Sequence, residues 1–429
     1  MITFSSQRRL DPRQLGVILE GANGRAEGCH RVLQFLRKGL DEKKFSVESL
    51  SYRDVAVALG VIDPYDYEGA VGSLHRHAID TESFSSQSQM EREIFQEANA
   101  AVTTHTFQII TSELIGRMII DGYNSEEGYI GDMLVTTIAG QRMRNQRIPG
   151  VTHLAGPNEV QEGHPYEEMG FEDKFVTTKE SKKGRILSLT AEMLLFDQTG
   201  LINDNARQLG SLIRQERERT IVRGVIDADA STNPVYRPSG TGEALYNTDG
   251  SNYNYIGSGN TTSSSFNAAV ALADWTDVDT ALKYRATEIT DDRVDGSGQP
   301  IASINSGSNI LLVPESLRST AEIISGQVSG EKLTDSGNLR STFAGNPVSS
   351  RVSQALSSPF IDEVNTSDWY YGNFKKQFVW TEIWPVTVSS QGSASEAAFE
   401  RDVVLRVKGR YYGGISARDT LYVTKIDGA

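Results

Sequence analysis

The fold is decided by residues 174–226, which read KFVTTK at 174–179, GRILSLTAEMLLF at 184–196 and INDNARQLGSLIRQERERTIVRGVI at 202–226. The first two pieces are rich in β-branched and apolar residues, and they predict one arm of a long hairpin followed by a strand. The third piece predicts a helix about 37 Å long at 1.5 Å per residue. A strand that leads into so long a helix is typical of a scaffold rather than of an active site.

The predicted helix has an apolar and a polar face. Its apolar residues recur at helical spacing and form a stripe that we expect to be buried, made of Ile202, Ala206, Leu209, Ile213, Ile221 and Val225. The polar positions between them carry arginines and glutamates, namely Arg207, Arg214, Arg217, Arg219, Arg223, Glu216 and Glu218. We therefore expect one side of this helix to pack into a core and the other to present cations.

A family resemblance rests on the order of these pieces. The strand SLTAEMLLFD at 188–197, followed by Leu209–Gly210 within a long helix, resembles tailed-phage major capsid proteins with the Hong Kong 97-type fold, and more closely the Mu-like major head subunits. The resemblance resumes at FERDVVLR, residues 399–406, and RYYGG, residues 410–414. It implies an α+β fold with a peripheral (P) domain, a spine helix, an axial (A) domain, an extended E-loop hairpin and an N-terminal arm.

The resemblance also implies how the chain is divided. The expected segments are an N-terminal extension or arm at 1–85, an N-arm helix and first P-domain strand at 86–140, the E-loop hairpin at 141–185, the P-domain strand and spine helix at 186–228, the A domain with polar loops at 229–362, and C-terminal P-domain strands at 363–429. We expect residues 1–85 to pack as a distinct unit with little part in the main core, because glycines interrupt their helical fragments.

Local patterns predict further elements. They are helices at 91–121 and 266–284, strands at 132–138 and 352–356, a strand at 308–313 that leads into a helix ending near 324, and several strands after 369.

The hairpin region divides into an acidic tip and basic flanks. Six carboxylates, without one lysine or arginine, occur at Glu159, Glu162, Glu167, Glu168, Glu172 and Asp173. The following flank carries Lys174, Lys179, Lys182 and Lys183. Most charge runs are solvated loops, but this segregation also suits an arm that docks on a charged neighbour. We expect these residues to lie at a subunit interface, with Arg207, Arg214 and Arg217 as partners of the acidic tip.

Composition narrows the function further. The chain has 429 residues, a net charge of −14 and a pI near 5.0. Its length predicts more than one lobe, and its acidity argues against a protein that grips nucleic acid by its phosphates. Cys29 is the only cysteine, which excludes an intrachain disulfide. No apolar run approaches the roughly 20 residues that a membrane span needs, so no membrane partner is expected.

We therefore predict a structural protein, not an enzyme, that needs no cofactor and no metal. The resemblance implies self-assembly into pentamers and hexamers of an icosahedral shell around double-stranded DNA, which is enclosed without sequence-specific binding. It implies a portal, a scaffold or protease, and decoration proteins as further partners. It also implies synthesis in the cytoplasm of a bacterial host and a final location in the virion.

Two alternatives remain open from the sequence. A bacterial encapsulin would use the same fold to enclose enzymes rather than DNA. A β-rich carbohydrate-binding or enzymatic protein would instead use Trp369, Trp380 and Trp384, although tryptophans in β patterns more commonly pack in a core. Catalysis has little support, because the sequence holds neither a phosphate-binding Gly-Lys-Ser/Thr loop nor a His-Glu-x-x-His motif.

Overall fold

The computed structural model describes residues 12–22, 24–42, 44–47, 50–62, 87–125, 128–141, 146–149, 160, 175–196, 198–229, 244–247, 254–260, 265–287, 307–326, 347–391 and 402–428, and only the backbone of 12–13, 25–26 and 87–105. The chain divides into two compact units. The first contains residues 1–126, 183–215 and 386–411, and the second contains 127–182, 216–385 and 412–429. Each unit therefore combines stretches that are far apart in the sequence.

Five helices come first along the chain, four strands follow, and helices and strands are mixed after them. The helices are α1 (Pro12–Glu20), α2 (Arg25–Asp41), α3 (Tyr52–Ala58), α4 (Gln87–Asn124), α5 (Gly131–Leu134), α6 (Ala191–Leu195), α7 (Thr199–Val225), α8 (Trp275–Thr287), α9 (Arg318–Ser325), α10 (Pro359–Asp362) and α11 (Phe374–Gln377). The strands are β1 (Thr136–Ala139), β2 (Arg147–Pro149), β3 (Phe175–Thr177), β4 (Ser181–Thr190), β5 (Tyr255–Ile256), β6 (Ile310–Pro314), β7 (Gln354–Ser358), β8 (Trp369–Gly372), β9 (Phe378–Gln391), β10 (Val403–Ala417) and β11 (Val423–Ile426).

In the first unit, α4 packs against the beginning of α7, the predicted spine helix. The buried residues of α4 are Phe107, Ile110, Leu114, Ile115, Met118 and Ile119. On α7 the predicted apolar stripe is confirmed, because Ile202, Ala206, Leu209 and Ile213 are all buried. The stripe continues with Ile221 and Val225, which are buried in the second unit.

α4 and α7 approach so closely that their backbones are in contact. A Cβ added at Gly210 would lie 2.0 Å from the carbonyl oxygen of Ile119. In the reciprocal direction, a Cβ added at Gly122 would lie 2.2 Å from the carbonyl oxygen of Arg207. Both positions require glycine, because any larger residue would meet backbone atoms that cannot rotate away.

Residues 12–62 are part of this same unit. Tyr52 is buried; its hydroxyl donates to Asn203 Oδ1 at 2.6 Å, and its backbone N–H donates to Thr199 Oγ1 at 3.1 Å. Two ion pairs, each 2.8 Å long, join α2 to α4: Arg37–Glu113 and Arg117–Asp41. For residues 12–62, the expectation of little part in the core is therefore wrong, while residues 1–11 and 63–85 lie outside the described residues. The partners of this region on α4 and α7 are too distant in sequence to be predicted from local patterns.

The second unit is built on a mixed five-stranded sheet in the order β5-β11-β8-β6-β7. β11 runs parallel to β5 and antiparallel to β8, while β6 runs antiparallel to β8 and parallel to β7. Helices α8 and α9 contribute to one apolar core with this sheet, which includes Val278, Ala281, Ala321, Ile324, Leu311, Val313, Trp369 and Tyr371. The predicted strand and helix between 308 and 324 are confirmed as β6 and α9.

A four-stranded sheet has the order β1-β9-β10-β4, and β1 runs parallel to β9. β10 therefore pairs with β4, so a strand from the end of the chain joins the strand that precedes the long helix. The protein is α+β, as predicted. This order of elements agrees with the one expected for the Hong Kong 97-type fold, whereas the P- and A-domain boundaries given above stay predictions.

The predicted strand at 184–196 is too long. The strand β4 ends at Thr190, whose Oγ1 accepts the N–H of Met193 at 3.4 Å. This hydrogen bond caps the short helix α6, which a sequence rich in leucine does not distinguish from a buried strand.

Two other predicted elements also differ from the structure. The expected strand at 132–138 is divided between α5 and β1. The helix expected at 266–284 begins only at Trp275. Asp274 caps its start, because its Oδ1 accepts the N–H of Thr276 at 2.7 Å, and Asp277 Oδ2 accepts the N–H of Asp274 at 2.9 Å in return.

Candidate assembly interface

The predicted hairpin has a paired base within the second unit. β2 and β3 are antiparallel, with Ile148 opposite Val176, and the Arg147 guanidinium lies 4.3 Å from the centroid of the Phe175 ring. Thr178 extends the pairing, because its backbone N–H donates to the carbonyl oxygen of Gln146 at 2.9 Å. These contacts hold the two strands of the hairpin together at its base. The residues predicted for its acidic tip and first lysine, Glu159, Glu162, Glu167, Glu168, Glu172, Asp173 and Lys174, lie outside the described residues.

The strand that follows the hairpin is unusually exposed. β4 is ten residues long, yet Leu189 is its only buried residue. It lies at the edge of the four-stranded sheet, and the side chain of Ile186 is 59% exposed. Lys179, just before β4, and Lys182 are exposed, and Lys183 is half-buried. The Lys182 ammonium lies 5.6 Å from the centroid of the Trp384 ring. Among the described strands, β4 is thus the last of its sheet, and it carries exposed apolar and cationic side chains.

Two spine arginines predicted as docking partners make contacts within the first unit. Arg207 Nη2 lies 3.6 Å from Asp121 Oδ2. Arg214 Nη1 donates to the Tyr123 hydroxyl at 3.2 Å, and its guanidinium lies 5.3 Å from the ring centroid. Both arginines are partly exposed, and their role as partners of the acidic tip stays a prediction.

Arg217 is buried, which corrects its assignment to an exposed cationic face. Its Nη2 donates to Asp132 Oδ1 at 2.8 Å, and its guanidinium lies 5.3 Å from the centroid of the Trp380 ring. The side chain is only 6% exposed. A carboxylate and an aromatic ring thus hold it inside the second unit, where an incoming segment cannot reach it without rearrangement.

Glu218 is likewise buried, and it organises the chain before β1. Its Oε1 accepts the N–H groups of Ile130 and Gly131, each at 2.7 Å. These donors lie at the start of α5, where backbone N–H groups have no partner within the helix and where a carboxylate is favoured. A Cβ at Gly131 would lie 2.4 Å from Glu218 Oε2, so the contact also requires glycine there. In the sequence, Glu218 is indistinguishable from the other charges of the helix.

The tryptophans named for a carbohydrate-binding alternative do not form an open binding surface. Trp369 and Trp380 are buried at 0% and 1% exposure. Trp384 is half-buried and packs edge-on against Tyr412, with ring centroids 5.6 Å apart. The first two rings are therefore core residues and are closed to a sugar.

The described residues offer neither a metal centre nor a membrane helix. They contain no cluster of three or more His, Cys, Asp or Glu side chains that could hold a metal ion. Of the helices described, none is both long and apolar enough to span a membrane.

The described residues form an α+β subunit that is suited to assembly. It has a long helix held by backbone contact, a hairpin with a paired base and an exposed edge strand. The sequence profile of the phage capsid protein family matches residues 175–426, which is more than half of the chain. The chain belongs to this family and is a capsid protein, that is, a structural component of the virion. The more specific Mu-like group stays a prediction.

Solved structures to which the chain is similar include those of two phages and of one virus-like particle. Mycobacterium phage Adephagia matches at 13% identity and a TM-score of 0.41, covering 70% of this chain and 90% of that one. Gordonia phage Cozz matches at 14% identity and a TM-score of 0.40, covering 70% and 86%. A virus-like particle from Pyrococcus furiosus matches at 11% identity and a TM-score of 0.40, covering 73% and 98%. No curated protein matches the chain. The family assignment rests on the family profile.

Proposed function

We propose that this capsid protein is the major head subunit, and that its copies form the pentamers and hexamers of an icosahedral shell. Membership of the phage capsid protein family supports this function over that of an encapsulin or of a β-rich enzyme. Contacts between unlike surfaces of successive copies close into rings when the rotation fits, and rings can then tile a closed shell.

The observation that carries the proposal is the exposure of β4. An edge strand with an exposed isoleucine would be an aggregation hazard in a protein that works as a monomer. Lys182, Lys183 and Arg185 on this strand discourage indiscriminate pairing of free subunits, as charges on edge strands do. A neighbouring copy that covers the strand would bury Ile186. This burial would stabilise each contact by about 1–2 kcal/mol. The contact is repeated at every subunit of a shell, which makes a modest energy sufficient.

Negative-stain electron microscopy of the purified protein tests the proposal. We expect closed shells of uniform size. The variant Ile186→Asp should remain folded by circular dichroism but give few shells, because the charge cannot be buried without a partner. Ile186→Leu, which keeps the apolar area, serves as the matched control and should assemble. A wild-type protein that stays monomeric at all concentrations and salt conditions would rule out the shell function.

The remaining partners follow from the same function. We propose that the shell encloses double-stranded DNA without reading its sequence, and that a portal, a scaffold or protease and decoration proteins act on it during assembly. The net charge of −14 supports a container wall, because a wall that bound phosphates tightly would hinder packing and release. Nuclease-resistant DNA in shells purified from infected cells would support this content, whereas shells filled only with protein would contradict it. Catalysis has no part in this function.

A further inference from the structure

The edge of the five-stranded sheet in the second unit borders an open cleft. Among the described strands, β7 is the last of this sheet, and its five residues carry no charge. The cleft has a volume of about 620 Å³, and four consecutive residues of β7 line it, namely Gln354, Ala355, Leu356 and Ser357. This volume lies within the range of ligand-binding sites. We call this space the edge cleft.

The edge cleft runs along the strand rather than over one of its faces. Ser357 Oγ donates to Glu315 Oε2 at 2.6 Å, and Ala355 packs against the core to which α9 contributes. Alternate residues of a strand point to opposite faces, so Gln354 and Leu356 face the other way. Because residues of both faces line the cleft, it lies at the edge of β7, on the side where backbone groups point away from β6. The cleft therefore lies where a sixth strand would pair.

The lining beside this edge has an acidic part and an apolar part. Glu315, Arg318 and Glu322 form the acidic wall, and all three side chains are partly exposed. Arg318 lies 3.0 Å from Glu315 and 2.8 Å from Glu322, so one guanidinium is shared by two carboxylates and negative charge remains. Ile130 and Met133 form the apolar part, and Met133 is 42% exposed. A strand added to β7 would therefore meet both surfaces.

The first eleven residues of the sequence have the chemistry that this cleft requires. They read MITFSSQRRLD, and they lie outside the described residues. Apolar and hydroxyl side chains alternate from Ile2 to Ser5, which is the period of a half-buried strand. Arg8 and Arg9 follow and supply two cations. Residues 2–6 also match the five residues of β7 in length, at about 17 Å for an extended chain.

We propose that residues 2–6 of a second copy of this chain add to β7 as a sixth strand. The apolar residues of the segment would cover Met133, and its arginines would reach the acidic wall. The hairpin segment 159–173 does not fit, because its six carboxylates would meet an acidic surface. The inference rests on the proposed shell function and names a contact that would link one subunit to the next. Segment and cleft lie on different parts of the chain, so copies would join head to tail, as a ring requires.

Introduced cysteines test which residues meet and in which copy. Cys29 is the only cysteine of the chain and is buried, so introduced thiols can be followed separately. Mixing the variants F4C and M133C under oxidising conditions should join the two different chains, as mass spectrometry of the linked peptides would show. F4C mixed with I323C is the matched control and should give no such link, because Ile323 is exposed on α9 but does not line the cleft.

The same cysteines in one chain distinguish a second copy from the chain's own segment. The double variant F4C/M133C should form ladders of linked copies on a non-reducing gel. A monomer closed by its own disulfide would overturn the proposal, because the segment would then dock within its own chain.

Peptide binding measures the same contact without shells. A fluorescent peptide of residues 1–11 should bind the unassembled wild-type subunit and bind M133R about tenfold more weakly, because apolar contact is lost and the new cation repels the arginines. The variant I323R makes the same change outside the cleft and should bind like the wild type. The peptide with R8E/R9E should bind weakly to the wild type and more tightly to E322K, because the charges then attract.

The outcomes separate this contact from the proposed function. Binding and cross-linking that depend on Met133 support the strand addition even if the wild-type protein forms no shells, a result that would overturn only the shell function. Equal binding by M133R and the wild type, or no binding at all, overturns the strand addition and leaves the shell function intact. A peptide of residues 157–175 that binds in place of the first one would assign the cleft to the hairpin and overturn the proposal as well.

Discussion

The contact of α4 with α7 through glycine predicts that Gly210→Ala destabilises the subunit, although alanine favours helices. The new Cβ would lie 2.0 Å from the carbonyl oxygen of Ile119 and 2.7 Å from the backbone nitrogen of Tyr123. Side-chain carbons essentially never come closer than 3.0 Å to such atoms, so the helices must separate by about 1 Å. Overpacking costs about 1–3 kcal/mol or more, against a helix-propensity gain of about 1 kcal/mol. We expect a net loss of about 2 kcal/mol.

The same helix provides a matched control for this prediction. A Cβ added at Gly200 has no neighbour within 4 Å, so Gly200→Ala should leave the stability unchanged or raise it by up to about 1 kcal/mol. Urea unfolding of the unassembled subunits, followed by circular dichroism, measures both effects. The midpoint should fall for Gly210→Ala at an unchanged slope. Equal or higher stability of Gly210→Ala relative to Gly200→Ala would refute the reasoning that backbone contact fixes the helix crossing.

Three further variants test other parts of the fold. Ile213→Asp should abolish soluble subunit in expression trials, because an unpaired buried carboxylate costs several kcal/mol of a total of about 5–15; normal solubility would mean that the stripe is not a core. Glu218→Ala should lower the free energy of unfolding by about 3 kcal/mol, since two buried N–H groups lose their acceptor, whereas the exposed control Arg219→Ala should cost at most about 1 kcal/mol; equal losses would contradict the capping role. Tyr52→Phe should cost about 1–2 kcal/mol in the same assay by leaving Asn203 without its donor, and a neutral effect would argue against the docking of residues 12–62.

The long helix and its buried stripe could be predicted because their information is local. A spacing of three and four positions is visible in the sequence around Leu209 and Ile213, and the structure buries both. The hairpin base and the C-terminal strands could be predicted for the same reason, because they contain runs of β-branched and aromatic residues. The shorter helices could not be predicted where one side-chain hydrogen bond decides between helix and strand, as at Thr190.

The parts of the interface that could not be predicted depend on tertiary partners. Arg217 and Arg207 look alike in the sequence, but only Arg217 lies against a tryptophan ring and a carboxylate inside the second unit. Likewise, Glu218 resembles the other charged residues of the helix in the sequence, but in the structure its carboxylate accepts the N–H groups of Ile130 and Gly131. Counting charges in the sequence identifies the cationic residues, but only the packing in the structure shows which of them are accessible and which are buried.

The pairing of β4 with β10 has a consequence for the timing of assembly. Residues 191–402 lie between these two strands, so β4 and β10 can pair only after most of the chain has left the ribosome. Pairing over such a separation is slow, because a long loop must close before its contacts contribute. A nascent chain therefore holds no finished edge for a neighbour to recognise. Only subunits whose last strands have folded could then join the growing particle.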